Sequence, residues 1–131
     1  MNSVSAKKTG MTMPGSGLAG QAMFGGRPVR RVHVMVKSIG SMCNLDCTYC
    51  YYLSKGELLG TPRHWAMSED TLETFIRQYF EANNYKEVVF SWQGGEPTML
   101  GVDFFRKVVE LEKKYCPAGV RCENDLQTNG T

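Results

Sequence analysis

Apolar residues recur at Leu72, Phe75, Ile76, Tyr79 and Phe80, the three-and-four spacing of one helix face. Ser68 precedes them as a helix N-cap. Glu69 and Asp70 place negative charge in the first turn, where the helix dipole favours it. Ala82-Asn83-Asn84 closes this helix. A second helical pattern runs through Phe104, Phe105, Val108, Val109 and Leu111 and closes near Tyr115 to Gly119. Three other stretches read as strands. Val32, Val34 and Val36 alternate with His33 and Met35. Val88, Val89 and Phe90, ending at Trp92, form the unbroken apolar run of a strand buried on both faces, as in a parallel sheet. A third strand runs from Arg121 to Gln127, after which Thr128-Asn129-Gly130 turns away.

The order strand–helix–strand–helix–strand predicts an α/β fold of right-handed βαβ units on a parallel sheet. Each unit takes about 30 residues or more, which leaves room for about three strands. The sequence stops at a turn straight after the third and reads as a domain cut short. Gly10, Gly15, Gly17, Gly20, Gly25 and Gly26 oppose regular structure near the start. Residues 1–29 therefore read as a flexible leader and residues 30–131 as the folded part. A cysteine-bearing loop follows the first strand and ends in a short helical turn through Tyr51, Tyr52 and Leu53. Residues 54–66, with Gly56, Gly60 and Pro62, read as irregular.

Composition narrows the function classes. The 131 residues are 42% hydrophobic, enough for one core. Fifteen basic against thirteen acidic side chains leave a net charge of +2, which gives no push toward nucleic acid or an anionic membrane. No apolar run approaches the roughly 20 residues of a membrane helix. The Met/Gly/Ser-rich start lacks the continuous apolar stretch of a secretory signal. A cytoplasmic location is expected, where thiols stay reduced.

That expectation changes the meaning of the five cysteines. An odd number would leave a disulfide scaffold with one thiol over. Three of them, Cys43, Cys47 and Cys50, fall within eight residues, and such crowding points to a metal. A structural zinc site closes with four ligands and an iron–sulfur cluster usually takes four cysteines. Here only three are local, so a [4Fe–4S] cluster would keep one iron open, as a reactive site requires. The alternatives are a zinc knuckle completed by His33, His64, Cys116 or Cys122, or a small iron–sulfur electron carrier. Otherwise Cys116 and Cys122 read as ordinary thiols, and His33 and His64 as structural or solvated. The second strand ends in Gly94-Gly95-Glu96-Pro97. Ligands of open α/β sheets gather at the carboxyl ends of strands. Two glycines let the backbone approach a ligand, and Glu96 offers an acceptor to an ammonium group. The alternative is a plain strand-ending turn; a phosphate loop is disfavoured, because no Gly-Lys-Ser/Thr follows.

The octet Cys43-Asn44-Leu45-Asp46-Cys47-Thr48-Tyr49-Cys50 resembles the radical SAM signature. HVMVKS (33–38), CNLDCTYCYYL, LETFIRQYF, WQGGEPT (92–98) and LQTNGT (126–131) resemble the anaerobic sulfatase-maturating enzymes. The resemblance covers residues 32–131 and implies the N-terminal half of a partial (β/α)6 radical SAM barrel, truncated after the third strand. It implies a [4Fe–4S] cluster on Cys43, Cys47 and Cys50, with S-adenosyl-L-methionine (SAM) on the open iron. Reductive cleavage of SAM would give a 5′-deoxyadenosyl radical. That radical would abstract hydrogen from a cysteine or serine of a sulfatase polypeptide, which is oxidised to formylglycine. An electron donor such as a flavodoxin or ferredoxin is implied as a partner. Gly94, Gly95 and Glu96 match the turn that binds the SAM amino group, and Tyr49 is expected against the adenine or packed over the cluster. Tyr52 and Gln93 match positions facing the target residue; the alternatives are a core tyrosine and a polar strand end. Gln127, Thr128 and Asn129 either line the same rim or form a simple Asn-Gly turn. The later barrel, the family's catalytic aspartate and its auxiliary clusters have no counterpart here, so no catalytic residue is assigned within the sequence and this chain is expected to be inactive alone. Another radical SAM peptide maturase, or a non-enzymatic zinc or iron–sulfur module, remain the alternative readings.

Overall fold

The computed structural model describes residues 23–60 and 65–131. Residues 1–22 of the expected leader and His64 lie outside the described residues. A three-stranded parallel sheet organises the chain, with β4 (Glu87–Trp92) between β3 (Met35–Val36) and β5 (Arg121–Leu126). Helix α2 (Glu69–Ala82) connects into β4, and α3 (Gly101–Tyr115) connects β4 to β5. The Ser68 side chain accepts from the Thr71 N–H at 3.2 Å, capping α2 as the sequence predicts.

The apolar periodicities become the core. Leu72, Ile76, Tyr79 and Phe80 of α2 and Val108 and Leu111 of α3 are buried against Val88, Phe90 and Trp92. Phe90 and Trp92 stack with ring centroids 6.2 Å apart, and Phe75 meets both edge-on. Truncating either ring to Ala in such a core costs about 3–5 kcal/mol. The strand's polar Ser91 is buried as well.

Three elements differ from the sequence expectation, each for a physical reason. Strand β3 is only Met35–Val36, although the alternation begins at Val32. The earlier residues bond to α2 and the loop after it. Asn83 Oδ1 accepts from the Val32 N–H at 2.8 Å, and the Tyr79 hydroxyl lies 3.0 Å from the Val32 carbonyl oxygen. Residues 53–59, expected to be mostly irregular, form helix α1 (Leu53–Leu59), which ends at Gly60 in the left-handed conformation. Gly56 sits inside α1 where a Cβ would come 2.8 Å from Ser41 Oγ, so the helix packs closely on the cysteine loop. Finally, β1 (Met23–Phe24) and β2 (Arg27–Pro28) pair as a hairpin within the region read as a leader. Its turn is Gly25-Gly26, both at positive φ, as a tight hairpin prefers. The following segment is tied down by Asn84, whose Nδ2 donates to the Pro28 carbonyl at 2.9 Å.

Candidate functional site at the strand ends

Register positions the site. Val36 pairs with Trp92, and Trp92 pairs with Leu126, so the three strands finish level. The ladder continues one step beyond: the Gln93 N–H donates to the Val36 carbonyl at 2.9 Å, and the Gln127 N–H to the Trp92 carbonyl at 3.0 Å. The cysteine loop, the Gly-Gly turn and the Gln127–Asn129 segment therefore leave the sheet at one rim.

These segments surround a cleft of about 290 Å³. Cys43, Cys47, Cys50, Tyr49, Tyr52, Gly94, Gly95, Gln127, Thr128 and Asn129 all line it, so residues read separately from the sequence as ligand, turn and rim positions share one space. Tyr49 is 89% exposed, its ring standing free at the cleft. The Leu45 N–H points at Cys43 Sγ and the Tyr52 N–H at Cys50 Sγ, each at 3.4 Å. Among the described residues, no three His, Cys, Asp or Glu side chains gather around one point that a single ion would fill. The three thiols occupy the wall of a shared cleft. A [4Fe–4S] cluster, which takes its thiolates on different irons, fits that donor set.

The glycine turn has a second task that the sequence did not disclose. The Gly95 N–H donates to the Gly40 carbonyl at 2.9 Å, and the Glu96 N–H to the Met42 carbonyl at 2.8 Å. A Cβ on Gly95 would overlap the Met42 carbonyl oxygen, and one on Gly94, at φ 130°, would approach the Gly40 oxygen at 2.7 Å. The turn is glycine-rich because the cysteine loop rests directly on it.

Glu96 turns its carboxylate away from the open cleft. Its side chain is fully buried and is absent from the cleft lining. Oε1 accepts from the Thr98 N–H (3.0 Å), the Thr98 hydroxyl (2.6 Å) and the Thr128 hydroxyl (2.8 Å), and Oε2 from the Asn129 N–H (2.7 Å). Burial opposes ionisation, but the donors from Asn129, Thr98 and Thr128 outweigh it and hold the carboxyl below its ordinary range. Glu96 thus staples the β5 exit to the glycine turn. Asn129 carries the link onward, donating to Asn44 Oδ1 at 2.9 Å and lying 3.7 Å from Cys43 Sγ.

Gln93 and Tyr52 meet through Lys37, a residue that the sequence reading left without a role. Lys37 Nζ lies 2.6 Å from the Tyr52 hydroxyl and 3.0 Å from Gln93 Oε1. Cys116 and Cys122 lie at the opposite end of the sheet. Burial, with Glu112 nearby, raises both thiols, Cys122 to about 12. His33 is exposed. No described helix is long and apolar enough to cross a membrane.

Comparison with known proteins agrees with this geometry. A family model described as the radical SAM superfamily matches residues 37–131. The serine-type anaerobic sulfatase-maturating enzyme of Bacteroides thetaiotaomicron is 46% identical over 101 residues, covering 76% of this chain and 24% of that protein. The cysteine-type enzyme of Clostridium perfringens is 38% identical over 99 residues, covering 75% and 26%. The solved structure of native anSMEcpe with bound AdoMet and the Kp18Cys peptide superposes with a TM-score of 0.64 at 36% identity, over 74% of this chain and 25% of that one. The chain thus spans about a quarter of the length of the curated relatives it matches. On the family match over most of its length, supported by a common rim of thiols and glycines, the chain belongs to the radical SAM superfamily.

Proposed function

We propose that this chain is the N-terminal segment of a radical SAM enzyme that oxidises a cysteine or serine of a sulfatase to formylglycine. One observation carries the reading: three level strand ends bring Cys43, Cys47 and Cys50, the Gly94-Gly95 turn and Gln127–Asn129 around a single cleft. A bound [4Fe–4S] cluster with SAM would supply the radical chemistry that removes a hydrogen from the substrate side chain. The chain's own residues bind and orient. Cys43, Cys47 and Cys50 hold the cluster. The turn of Gly94, Gly95 and Glu96 takes the SAM amino group, and the Glu96 carboxylate also fixes that turn to Thr98, Thr128 and Asn129. Tyr49 lies against the adenine. Tyr52 and Gln93 face the target residue, and Gln127, Thr128 and Asn129 close the rim. The reaction takes place in the cytoplasm, with a flavodoxin or ferredoxin as electron donor.

The test is anaerobic reconstitution with iron and sulfide, followed by EPR of the reduced protein with and without SAM. A cluster signal that shifts when SAM is added is expected. Failure to take up iron, with stoichiometric zinc bound instead, overturns the reading. The chain spans about a quarter of the relatives' length, and by itself it is expected to form no formylglycine in a sulfatase peptide supplied with SAM and reductant. Appearance of the product by mass spectrometry would refute that expectation.

A further inference from the structure

Lys37 follows β3 directly and reaches across the rim to two residues from other segments. Its ammonium bonds to the Tyr52 hydroxyl at 2.6 Å, lies 4.5 Å from that ring's centroid, and bonds to Gln93 Oε1 at 3.0 Å. Tyr52 follows the last cysteine of the loop, and Gln93 ends β4. Tyr52 and Gln93 lie 41 positions apart in the sequence (93 − 52), and Lys37 bonds to both.

The chemistry of lysine fixes the polarity of the group. An ammonium only donates. Tyr52 must therefore accept from Lys37 through its oxygen, leaving its own O–H proton to donate elsewhere. Gln93 must present its carbonyl oxygen to Lys37, leaving both Nε2 protons to donate. Two of the three Lys37 protons are used, and among the described residues no carboxylate neutralises the charge. The three residues together form a patch that offers donors and a positive charge, with the carbonyl oxygen of Gln93 already engaged. What such a patch takes is an acceptor.

We propose that Lys37 is a positioning residue that sets Tyr52 and Gln93 as paired donors for an acceptor group on the peptide substrate, such as a backbone carbonyl oxygen beside the target residue. The inference rests on the function proposed above. The SAM carboxylate is an acceptor too, so the experiment must separate the two ligands.

Two measurements test it. In this chain, NMR of the Gln93 side-chain amide (identified by its loss in Gln93→Met) and of the Tyr52 ring reads the geometry without catalysis. Lys37→Met should move both signals while leaving the backbone amides of α2 and α3 in place, and Lys37→Arg should largely preserve them. In the full-length enzyme proposed above, reconstituted with its cluster, Lys37→Met should raise KM for a sulfatase peptide about ten-fold, the effect of one lost charge-assisted hydrogen bond. The cluster content, kcat and the Kd for SAM should stay within about two-fold, and Lys37→Arg should recover most of the loss. Unmoved NMR signals, an unchanged KM, or a parallel loss of SAM affinity or cluster each overturn the proposal. A wild-type enzyme that cleaves SAM yet never modifies a sulfatase peptide refutes the proposed function instead, and the NMR signals still decide whether Lys37 holds its two partners.

Discussion

Two buried carboxylates show how opposite surroundings give opposite behaviour. Glu96 is surrounded by donors that favour its ionised form; Glu112 has fewer. Glu112 Oε2 accepts from Asn124 Nδ2 at 2.9 Å, but its buried Oε1 has no hydrogen-bond partner. Burial pushes the Glu112 carboxyl up, against weaker opposition from Asn124 and the Cys122 thiol. Folding therefore favours its protonated form. That contribution is complete below the ordinary value of 4.5 and is lost as pH rises through the elevated folded value. Glu112→Gln should accordingly stabilise the chain at pH 8 by about 1 kcal/mol, with the gain shrinking toward pH 4. Urea melts across that range check it, and parallel pH profiles for the two proteins would contradict it. Glu96 carries the reverse sign: its stabilisation is present above 4.5 and fades as pH falls through the depressed folded value. Glu96→Gln turns an amide toward donors and should cost about 2 kcal/mol at pH 7. Cys122 offers a kinetic test at the same scale. A thiol at about 12 holds almost no thiolate at pH 7.5, so iodoacetamide should label it more than about 100-fold more slowly than glutathione. Comparable rates by peptide mapping would rule out the buried, protonated state.

Among the elements, those with strong local patterns were legible in the sequence. The α2 cap at Ser68, its buried stripe and the existence of β4 follow from the local pattern; the expected burial on both faces of β4 is met only in part, since Val88, Phe90 and Trp92 of one face enter the core while Val89 of the other is half-buried. The spacing of Cys43, Cys47 and Cys50 pointed to one shared site, and in the structure the three thiols line one cleft. What could not be read was decided by distant partners. Nothing near Val32 signals that Asn83 and Tyr79 will take its backbone groups, and nothing near Gly56 shows Ser41 beside it. The inward turn of Glu96 and the bridge through Lys37 likewise need donors and acceptors from other elements. The Gly94-Gly95 turn was legible as a close approach, but the sequence suggested a ligand and the structure adds a loop. Gly95→Ala tests that packing. The added methyl must displace the Met42 carbonyl, so iron uptake on reconstitution should fall several-fold and the thermal midpoint should drop by several degrees, in line with overpacking costs of about 1–3 kcal/mol. A variant that loads iron normally and melts like the wild type would show that the loop does not depend on this contact.

For the molecule as a whole, β5 is an edge of the described sheet. Arg121, Glu123 and Asp125 alternate along it, and Arg121 pairs with both Glu123 (2.8 Å) and Glu87. Charges on an edge strand discourage pairing with a second copy. Replacing Glu123 and Asp125 together with Val should therefore promote aggregation on warming, measured as turbidity well below the wild-type onset. Unchanged turbidity would mean that these charges do not protect the edge.

The level ending of β3, β4 and β5 has a consequence for building new proteins from this one. Strand register sets where each loop joins the sheet, so a loop can be treated as a cassette where its ties to the other loops are kept. The stretch between Val36 and Ser68 tolerates exchange only where Lys37, Asn44, Tyr52 and the three cysteines are kept and Gly40 and Met42 still offer their carbonyls to the turn below. Swaps that keep those anchors should be portable among relatives, whereas swaps that shift a strand by one residue should scatter the whole rim.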